Sequence, residues 1–374
     1  MRQTKRGIST LAAFVLASCI LTLTGCESEE KSFDRSRMFE QTASNVLTPT
    51  HDELLTRAEN LDQAAKAFCE DKTTDNLTAA REEWKKVKWP VKQMEAWSFG
   101  PYRYFGIEIH KNVDKWPGYA EEIEAELSSD ATIDQSYVED LDYTRRVKGY
   151  PAIGYLLYGE KNGMSPIEIY KSADGDRRCR YLTALTEHAH GIVQDYRTEW
   201  ASAGENYIGT YTSAGNNDTF PSQQAAVTEM VSTMIYATNQ VSMMKLGKPF
   251  GESNGGTPLP DEVEAPYSET SVEHALQTLR GVEMLYTGGD GVGLTDYVQS
   301  RQAATDVDAK VKERLQAAKD AVEAIPRPLS SAVQNDRDKV QAAIDAVDQL
   351  TVVLEGDVST LLGVNPTTVQ GDND

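Results

Sequence analysis

Two glutamates occupy helix positions where apolar residues are expected. At 100° per residue, Glu283 falls about 20° from Val272 and thus on an apolar stripe. Glu95 bears the same relation to Trp84, although Pro90 makes the helical phase less certain. A carboxylate on a buried face must form an ion pair, bind a cation or stay protonated. Both are therefore candidate ligand or metal residues, and a structural salt bridge is the alternative.

Further acidic residues surround a histidine. The stretch "FGIEIHKNVDKWPGY", residues 105–119, contains Glu108, His110 and Asp114 close to Trp116. Carboxylates and imidazole together can ligate iron, zinc and other divalent ions. The spacing selects no particular metal, and ordinary surface residues are the alternative.

The remaining histidines suggest no second site. His188 joins an apolar stripe, and His190 lies about 200° away from it on the same helix, so the two cannot act together. We predict that His188 is a core residue. His274 lies opposite the apolar stripe of its helix and His51 lies at a helix start, so both are predicted to be surface residues.

Several well-defined catalytic motifs are missing. The sequence has no HExxH of a zinc peptidase, no GxSxG of a serine hydrolase and no GxxxxGK[ST] phosphate loop. The Gly-rich "TGGDGVG", residues 287–293, lacks the preceding strand of a dinucleotide site and is predicted to be a helix-ending turn.

The chain begins with an export signal. Basic residues precede an apolar run over residues 11–23, which is followed by Thr-Gly-Cys ending at Cys26. This end resembles a bacterial lipobox, which implies cleavage before Cys26 and lipidation of its thiol; an ordinary cleaved signal is the alternative. We predict a lipoprotein signal peptide at residues 1–25 and, because the next stretch is polar, a flexible tether at residues 26–48.

The mature protein is strongly acidic. The full chain has 37 Lys and Arg against 58 Asp and Glu, and removal of residues 1–25 takes away three basic residues and leaves a net charge of −24. Such a body is expected to repel nucleic acid. No later apolar run is long enough to span a bilayer. The predicted partners are therefore the membrane, through the lipid on Cys26, and cations or an envelope protein.

Two cysteines are left after export and lipidation. Cys69 and Cys179 lie far apart and show no metal-binding spacing. An oxidising compartment permits a disulfide between them. The sequence leaves the bridge open.

Apolar residues recur at intervals of three and four along most of the mature chain. Residues 51–70 give one example, and similar stripes cover about residues 75–97, 177–200, 222–244, 270–287, 307–322 and 340–354. There is no convincing run of alternating residues typical of strands. We predict an all-α fold built from helix bundles.

Two segments of the chain resemble each other. "GYPAIGYLLYG", residues 149–159, aligns with "RGVEMLYTGG", residues 280–289, and the alignment places Gly154 opposite Glu283. The pair suggests a duplication, although two unrelated helix ends could share small residues by chance. We predict a first helical-bundle half at residues 49–205 and a second at residues 219–363.

A series of phrases resembles the imelysin-like family and occurs in the family's order over nearly the whole mature chain. They are "AAREEWKKVKWPVKQMEAWSFGP" (79–101), "NVDKWP" (112–117), "GYPAIGYLLYG" (149–159), "MMKLGKPFGE" (243–252) and "EAPYSETSVEHALQTLRGVEMLYTGG" (264–289). The resemblance implies an exported helical protein with two related bundle-like halves. It also implies a link to bacterial iron acquisition, for proteins originally named as peptidases.

The hallmark of that family is GxHxxE, and this chain departs from it. The corresponding residues run from Gly149 to Gly154, with Pro151 in place of the His and Gly154 in place of the Glu. Neither replacement offers a ligand atom in its side chain. Metal binding and hydrolysis at this position are therefore in doubt.

The sequence predicts a non-enzymatic, imelysin-like lipoprotein on the outer membrane, on its periplasmic side or at the cell surface. A cleft between the halves would bind iron or another divalent cation, an iron-containing ligand or an envelope partner. Glu95, Asp114 and Glu283 would supply charge. The candidate lining residues of the cleft are Trp84, Trp97, Trp116, Ser268 and Ser271, and core positions are the alternative for the three tryptophans. A metallopeptidase and a ligand-free scaffold are the alternatives.

Overall fold

The protein is described by a computed structural model that covers residues 33–102, 109–142, 144–301 and 304–366. The predicted signal peptide and Cys26 lie outside these residues. Within them the chain is helical and has no β-strand, apart from one isolated bridge between Lys161 and Met164. The predicted all-α fold is confirmed. None of the described helices is both long and apolar enough to cross a membrane.

The α-helices are, in chain order, α1 Arg35–Thr42, α2 Thr48–Glu70, α3 Thr74–Gln93, α4 Ile109–Val113, α5 Ala120–Ser128, α6 Gln135–Asp140, α7 Gly149–Tyr158, α8 Pro166–Lys171, α9 Gly175–Trp200, α10 Tyr207–Thr212, α11 Gln223–Asn239, α12 Lys248–Phe250, α13 Ser271–Thr287, α14 Leu294–Gln299, α15 Ala304–Glu323, α16 Leu329–Asn335, α17 Arg337–Val353 and α18 Ser359–Leu362. Three π-helical segments adjoin them, at Ala43–Leu47, Gln240–Gly247 and Leu354–Val358. The 3₁₀ turns are Met94–Trp97, Gly100–Tyr102, Glu252–Asn254 and Pro260–Glu262.

The first bundle is built on the long helices α2, α3 and α9, with α7 packed against α3 and α9. The predicted apolar stripe of α2 faces this core, since Leu54, Leu61 and Phe68 are at most 1% exposed. Thr73 caps α3, because its hydroxyl accepts a hydrogen bond from the backbone N–H of Asn76. The cap fixes where α3 begins, and α3 carries several residues of the site described below.

The second bundle contains α11, α13, α15 and α17, and α13 also packs on α3 of the first bundle. The two backbones lie close together at Gly281. A Cβ atom on residue 281 would lie 2.0 Å from the carbonyl oxygen of Gln93, so only glycine fits there. Both bundles belong to one compact unit, which begins at Asp34. A duplication of the two halves remains a prediction.

The flexible tether predicted for residues 26–48 does not extend over that whole range. From Arg35 onward the chain forms α1 and the π-helix that follows it. Met38 and Phe39 are fully buried. The prediction does not hold for residues 35–48, because these two apolar side chains attach an otherwise polar stretch to the core.

A disulfide joins Cys69, near the end of α2, to Cys179, in the first turns of α9. The two Cα atoms are 5.5 Å apart. The bond closes a sequence separation of 110 residues and ties together two helices of the first bundle.

His51 is buried, and the surface position predicted for it is wrong. It is 1% exposed and lies within an aromatic cluster, where its ring centroid is 4.5 Å from that of Trp200. The indole N–H of Trp97 donates to His51 Nε2 at 3.3 Å. Burial, followed by the charge of Arg197, lowers the pKa of His51 to about 3. The imidazole is therefore neutral in the folded protein near neutral pH.

We expect His51 to make the protein acid-sensitive. An unfolded histidine binds a proton near pH 6.5, whereas the folded His51 binds it only near pH 3, so acid favours unfolding. The stabilisation is complete above about pH 6.5 and is lost as the pH falls toward about 3, by about 1.4 kcal/mol per pH unit. In urea unfolding at several pH values, the slope of His51→Gln should be smaller by this amount, while the control His190→Gln keeps the slope of the unaltered protein. Equal slopes in all three proteins would contradict the assignment.

Candidate functional site

A cluster of buried charged residues lies where the two bundles meet. It contains three carboxylates, three lysines and one histidine, namely Glu95, Asp114, Glu264, Lys88, Lys92, Lys245 and His274. Each of them is at most 8% exposed. We call this group the charge cluster. Because charged groups are seldom buried without partners, their pairing determines what the cluster can do.

Elements from both bundles position the charge cluster. Lys88 and Lys92 lie one turn apart on α3 and so face the same side of it. The 3₁₀ turn after α3 places Glu95. From the second bundle, the π-helix Gln240–Gly247 places Lys245 and α13 places His274. π-helical segments in proteins often lie at functional sites.

Lys92 is the centre of the cluster. Its Nζ lies 2.8 Å from Glu95 Oε1, 2.5 Å from Asp114 Oδ2 and 2.6 Å from Glu264 Oε1. Lys245 Nζ joins the two bundles, at 3.1 Å from Glu95 Oε1 and 2.6 Å from Glu264 Oε2. One ammonium group therefore contacts all three carboxylates, and a second contacts two of them.

The other members complete the network. The Nζ of Lys88 binds Asp114 and lies 3.5 Å from Glu264 Oε1. His274 Nδ1 lies 2.9 Å from Glu264 Oε1. The hydroxyl of Thr278 donates to Glu95 Oε2 at 2.6 Å. Every carboxylate in the cluster thus has a positive partner.

Burial alone would raise the pKa values of Glu264 and Asp114, but the neighbouring lysines outweigh it. Lys245 and Lys92 hold the pKa of Glu264 well below its usual value. Lys88 and Lys92 lower that of Asp114. Burial lowers the pKa of His274, which leaves its imidazole neutral. With three lysines and three carboxylates, the formal charges of the cluster balance.

This arrangement does not fit a bare metal ion. A metal needs anionic or neutral ligand atoms whose lone pairs are free, and here ammonium groups already occupy the carboxylates. Among the described residues, no three or more His, Cys, Asp or Glu are grouped so as to hold a metal. Of the predicted metal candidates, Glu95 and Asp114 are brought together by Lys92. Glu108 and the side chain of His110 lie outside the described part of the protein.

Glu283 lies apart from the charge cluster. Both of its carboxylate oxygens accept from Lys319 Nζ, at 2.7 and 2.8 Å, and its side chain is 39% exposed. The prediction that Glu283 points along the buried stripe is wrong. The buried face of α13 passes through His274, Thr278 and Leu285, so the helix is rotated from the phase inferred from the apolar residues alone.

A small cavity adjoins the charge cluster. Its lining includes Trp84, Lys88, Pro151, Gly154, Ser268 and His274. Its free volume for water-sized spheres is about 10 Å³, which is room for about one water molecule. The cavity therefore connects the charged residues with the helix that carries the altered family motif.

The altered motif lies on α7, where Trp84 fills the space beside it. A Cβ atom on Gly154 would lie 2.8 Å from a ring carbon of Trp84. The indole N–H of Trp84 is held in place because it donates to the backbone oxygen of Tyr150 at 2.8 Å. Gly149 begins α7 with a φ of 73°, a backbone conformation that favours glycine. A glutamate at position 154 would require Trp84 to move.

The other predicted cleft residues differ in position. Trp97 is fully buried against His51 and does not line the cavity. Trp116 lies beside the cluster, with Lys245 Nζ 5.1 Å from the centroid of one of its rings. Ser271 Oγ accepts from the backbone N–H of Ala265 and has a structural role.

The residues missed from the sequence are mainly lysines and their partners. Lys88, Lys92, Lys245 and Glu264 were not predicted, because charged residues within polar stretches normally face solvent. The surface position predicted for His274 is wrong, since it is 2% exposed. The available signal was the pair Lys88 and Lys92, which fall on the face of α3 that also carries Trp84.

Comparisons with known proteins agree with this architecture. A curated relative, iron-regulated protein A of Synechococcus elongatus, is 26% identical over 339 residues, which cover 88% of each chain. Among solved structures, an iron-regulated protein A precursor from Parabacteroides distasonis has a TM-score of 0.73 at 20% identity, covering 87% of this chain and 95% of that one. An imelysin-like protein from Psychrobacter arcticum 273-4 has a TM-score of 0.71 at 14% identity, covering 89% and 96%.

The match to a family model is equally extensive. The model described as Peptidase_M75, imelysin, matches residues 47–354, from the last residue of the π-helix before α2 to the first residue of the π-helix after α17. It therefore covers both bundles and every residue of the charge cluster. This chain belongs to the imelysin family.

Proposed function

We propose that this protein is a lipid-anchored protein of the bacterial cell envelope, linked to iron acquisition, which binds a ligand and is not a metal-dependent peptidase. The export signal and Cys26 support the anchor. The relative named iron-regulated protein A supports the link to iron. The outer membrane is the proposed location.

The lack of free metal ligands at the altered motif favours ligand binding over metal-dependent hydrolysis. A metallopeptidase needs a metal with an open coordination position that activates water. Here the motif positions are Pro151 and Gly154, and Trp84 occupies the space next to Gly154. The nearby carboxylates are neutralised by lysines. The motif positions therefore offer no side-chain ligand atoms, and the nearby carboxylates are not free to bind a metal.

The pairing of the carboxylates with lysines also limits which kind of ligand the protein can bind. A bare cation entering the charge cluster would have to displace Lys92 or Lys245 from its carboxylates, at a large electrostatic cost. An iron-containing compound or a partner protein is too large for the cavity and would instead bind on the surface next to it, where Tyr267 and Ser268 are half-buried. We therefore propose an iron-containing ligand, recognised next to the cluster.

Thermal melting of the purified protein tests this role, because a ligand that binds the folded state raises the melting temperature. Haem and ferric citrate are the iron-containing probes, and divalent ions form the second set. We expect a saturable rise with an iron-containing probe and none with divalent ions. Ser268→Trp should weaken the binding about 10-fold or more, whereas Trp at the exposed Ser300 should not.

The outcomes separate the alternatives. Metal-dependent peptide cleavage that a chelator abolishes would establish a metallopeptidase and refute the proposal. No shift with any probe would contradict a ligand-binding role and favour a scaffold. A shift that Ser268→Trp leaves unchanged would place the ligand away from the cavity.

A further inference from the structure

Four side chains beside the cavity form a continuous hydrogen-bonded chain. Ser268 Oγ lies 2.8 Å from Thr270 Oγ1, which lies 3.2 Å from His274 Nε2. On the other side of the ring, His274 Nδ1 lies 2.9 Å from Glu264 Oε1. A hydroxyl next to an imidazole that is oriented by a carboxylate is the arrangement that activates nucleophiles in hydrolases. A catalytic arrangement of this kind is recognised by the geometry of its side chains and not by their order in the sequence.

The direction of each hydrogen bond follows from the charges. Glu264 is ionised and can only accept, so His274 Nδ1 carries a proton and donates it. Because the imidazole is neutral, Nε2 is a bare acceptor, and the Thr270 hydroxyl must donate to it. Thr270 Oγ1 then accepts from the hydroxyl of Ser268. The chain thus leads a proton from Ser268 toward His274.

The two ends of the chain have different surroundings. His274 and Glu264 are 2% and 3% exposed, so the base is shielded from bulk water. Ser268 is half-buried and lines the cavity, and it is therefore the reachable hydroxyl. Lys88, whose ammonium binds Asp114, also lines this cavity.

We propose that Ser268 is a nucleophilic serine that takes an acyl group from activated esters, with Thr270 and His274 as positioning residues that accept its proton in relay. Ser268 Oγ forms a bond to the carbonyl carbon, and the bond from that carbon to the leaving oxygen breaks. Ser268 passes its proton to Thr270 as Thr270 passes its own to His274 Nε2. His274 then protonates the leaving alkoxide. This reactivity is metal-independent and goes beyond the ligand binding proposed above, although both involve the side of the cavity at Ser268.

Acylation by p-nitrophenyl acetate tests the proposal in the full-length protein. We expect a stoichiometric release of p-nitrophenolate, with acetyl located on Ser268 by peptide mass mapping, and no such release from Ser268→Ala. Ser271→Ala is the matched control, since Ser271 binds a backbone N–H and lies outside the relay. Acetyl on a different residue, or no acetylation of the folded protein, would overturn the assignment.

The relay has its own test. Thr270→Val keeps the shape of the side chain but removes the hydroxyl, and should slow acylation about 100-fold, whereas Thr270→Ser should retain most of it. With the relay intact, the rate should level off between about pH 7 and about pH 8.5, because His274 is already neutral. A rate that rises with hydroxide throughout, or that is equal in Thr270→Val and the unaltered protein, would show that Ser268 is not activated.

Discussion

Replacement of Lys92 by methionine is expected to lower the free energy of unfolding by about 3–5 kcal/mol, because it leaves buried carboxylates without their central partner. Lys92 is 0% exposed and contacts Glu95, Asp114 and Glu264. Methionine fills a similar volume, so most of the loss comes from charge rather than from a void. After the change, two ammonium groups face three carboxylates.

Urea unfolding of Lys92→Met at neutral pH, followed by circular dichroism, measures this loss. Lys319→Met is the matched control, because Lys319 pairs with the half-exposed Glu283 and such pairs contribute about 0–1 kcal/mol. If the two variants lose the same small amount, the charge cluster is not a tightly coupled network. A Lys92→Met protein that is too unstable to purify can be replaced by Lys92→Arg, which keeps the charge and should lose less.

Removal of the Cys69–Cys179 disulfide is expected to cost about 2–5 kcal/mol. The bond closes a separation of 110 residues, and a cross-link over a long loop restricts the unfolded chain strongly. It also joins α2 to α9, two of the three long helices of the first bundle. We expect the double variant Cys69→Ala with Cys179→Ala to unfold at lower urea concentration.

A reductant distinguishes the disulfide from simple loss of side-chain packing. Reduction of the unaltered protein should move its unfolding midpoint toward that of the double variant, while the double variant itself should not respond. An unchanged midpoint after complete reduction, verified by thiol titration, would contradict a stabilising role.

Apolar periodicity was sufficient to predict the helices, but not which face of each helix is buried. The stripe of α2 was read correctly from Leu54, Leu61 and Phe68, but His51, on the same helix, is buried as well and was predicted to lie at the surface. In α13 the buried face includes His274 and Thr278, while Leu276 is half-buried. The helical angle measured from the apolar residues alone therefore placed Glu283 on the buried face of α13 and His274 on the exposed face. Polar residues on a buried face cannot be recognised until their partners on other helices are known.

The charge cluster shows the same limit. Glu95 was found because it followed an apolar stripe, but its partners come from distant parts of the sequence. Lys245 lies 150 residues away along the chain. Asp114 was grouped with its sequence neighbours Glu108 and His110, whereas in the fold it pairs with Lys88 and Lys92. Spacing within one segment carries no information about such pairs.

The neutral charge cluster also has a consequence for how this lineage can change. Replacing the whole set by apolar residues can be tolerated, yet replacing one member leaves a buried unpaired charge. Each single step away from the present set therefore passes through a less stable protein. Natural selection would remove most such intermediates, so the seven residues are expected to be inherited together.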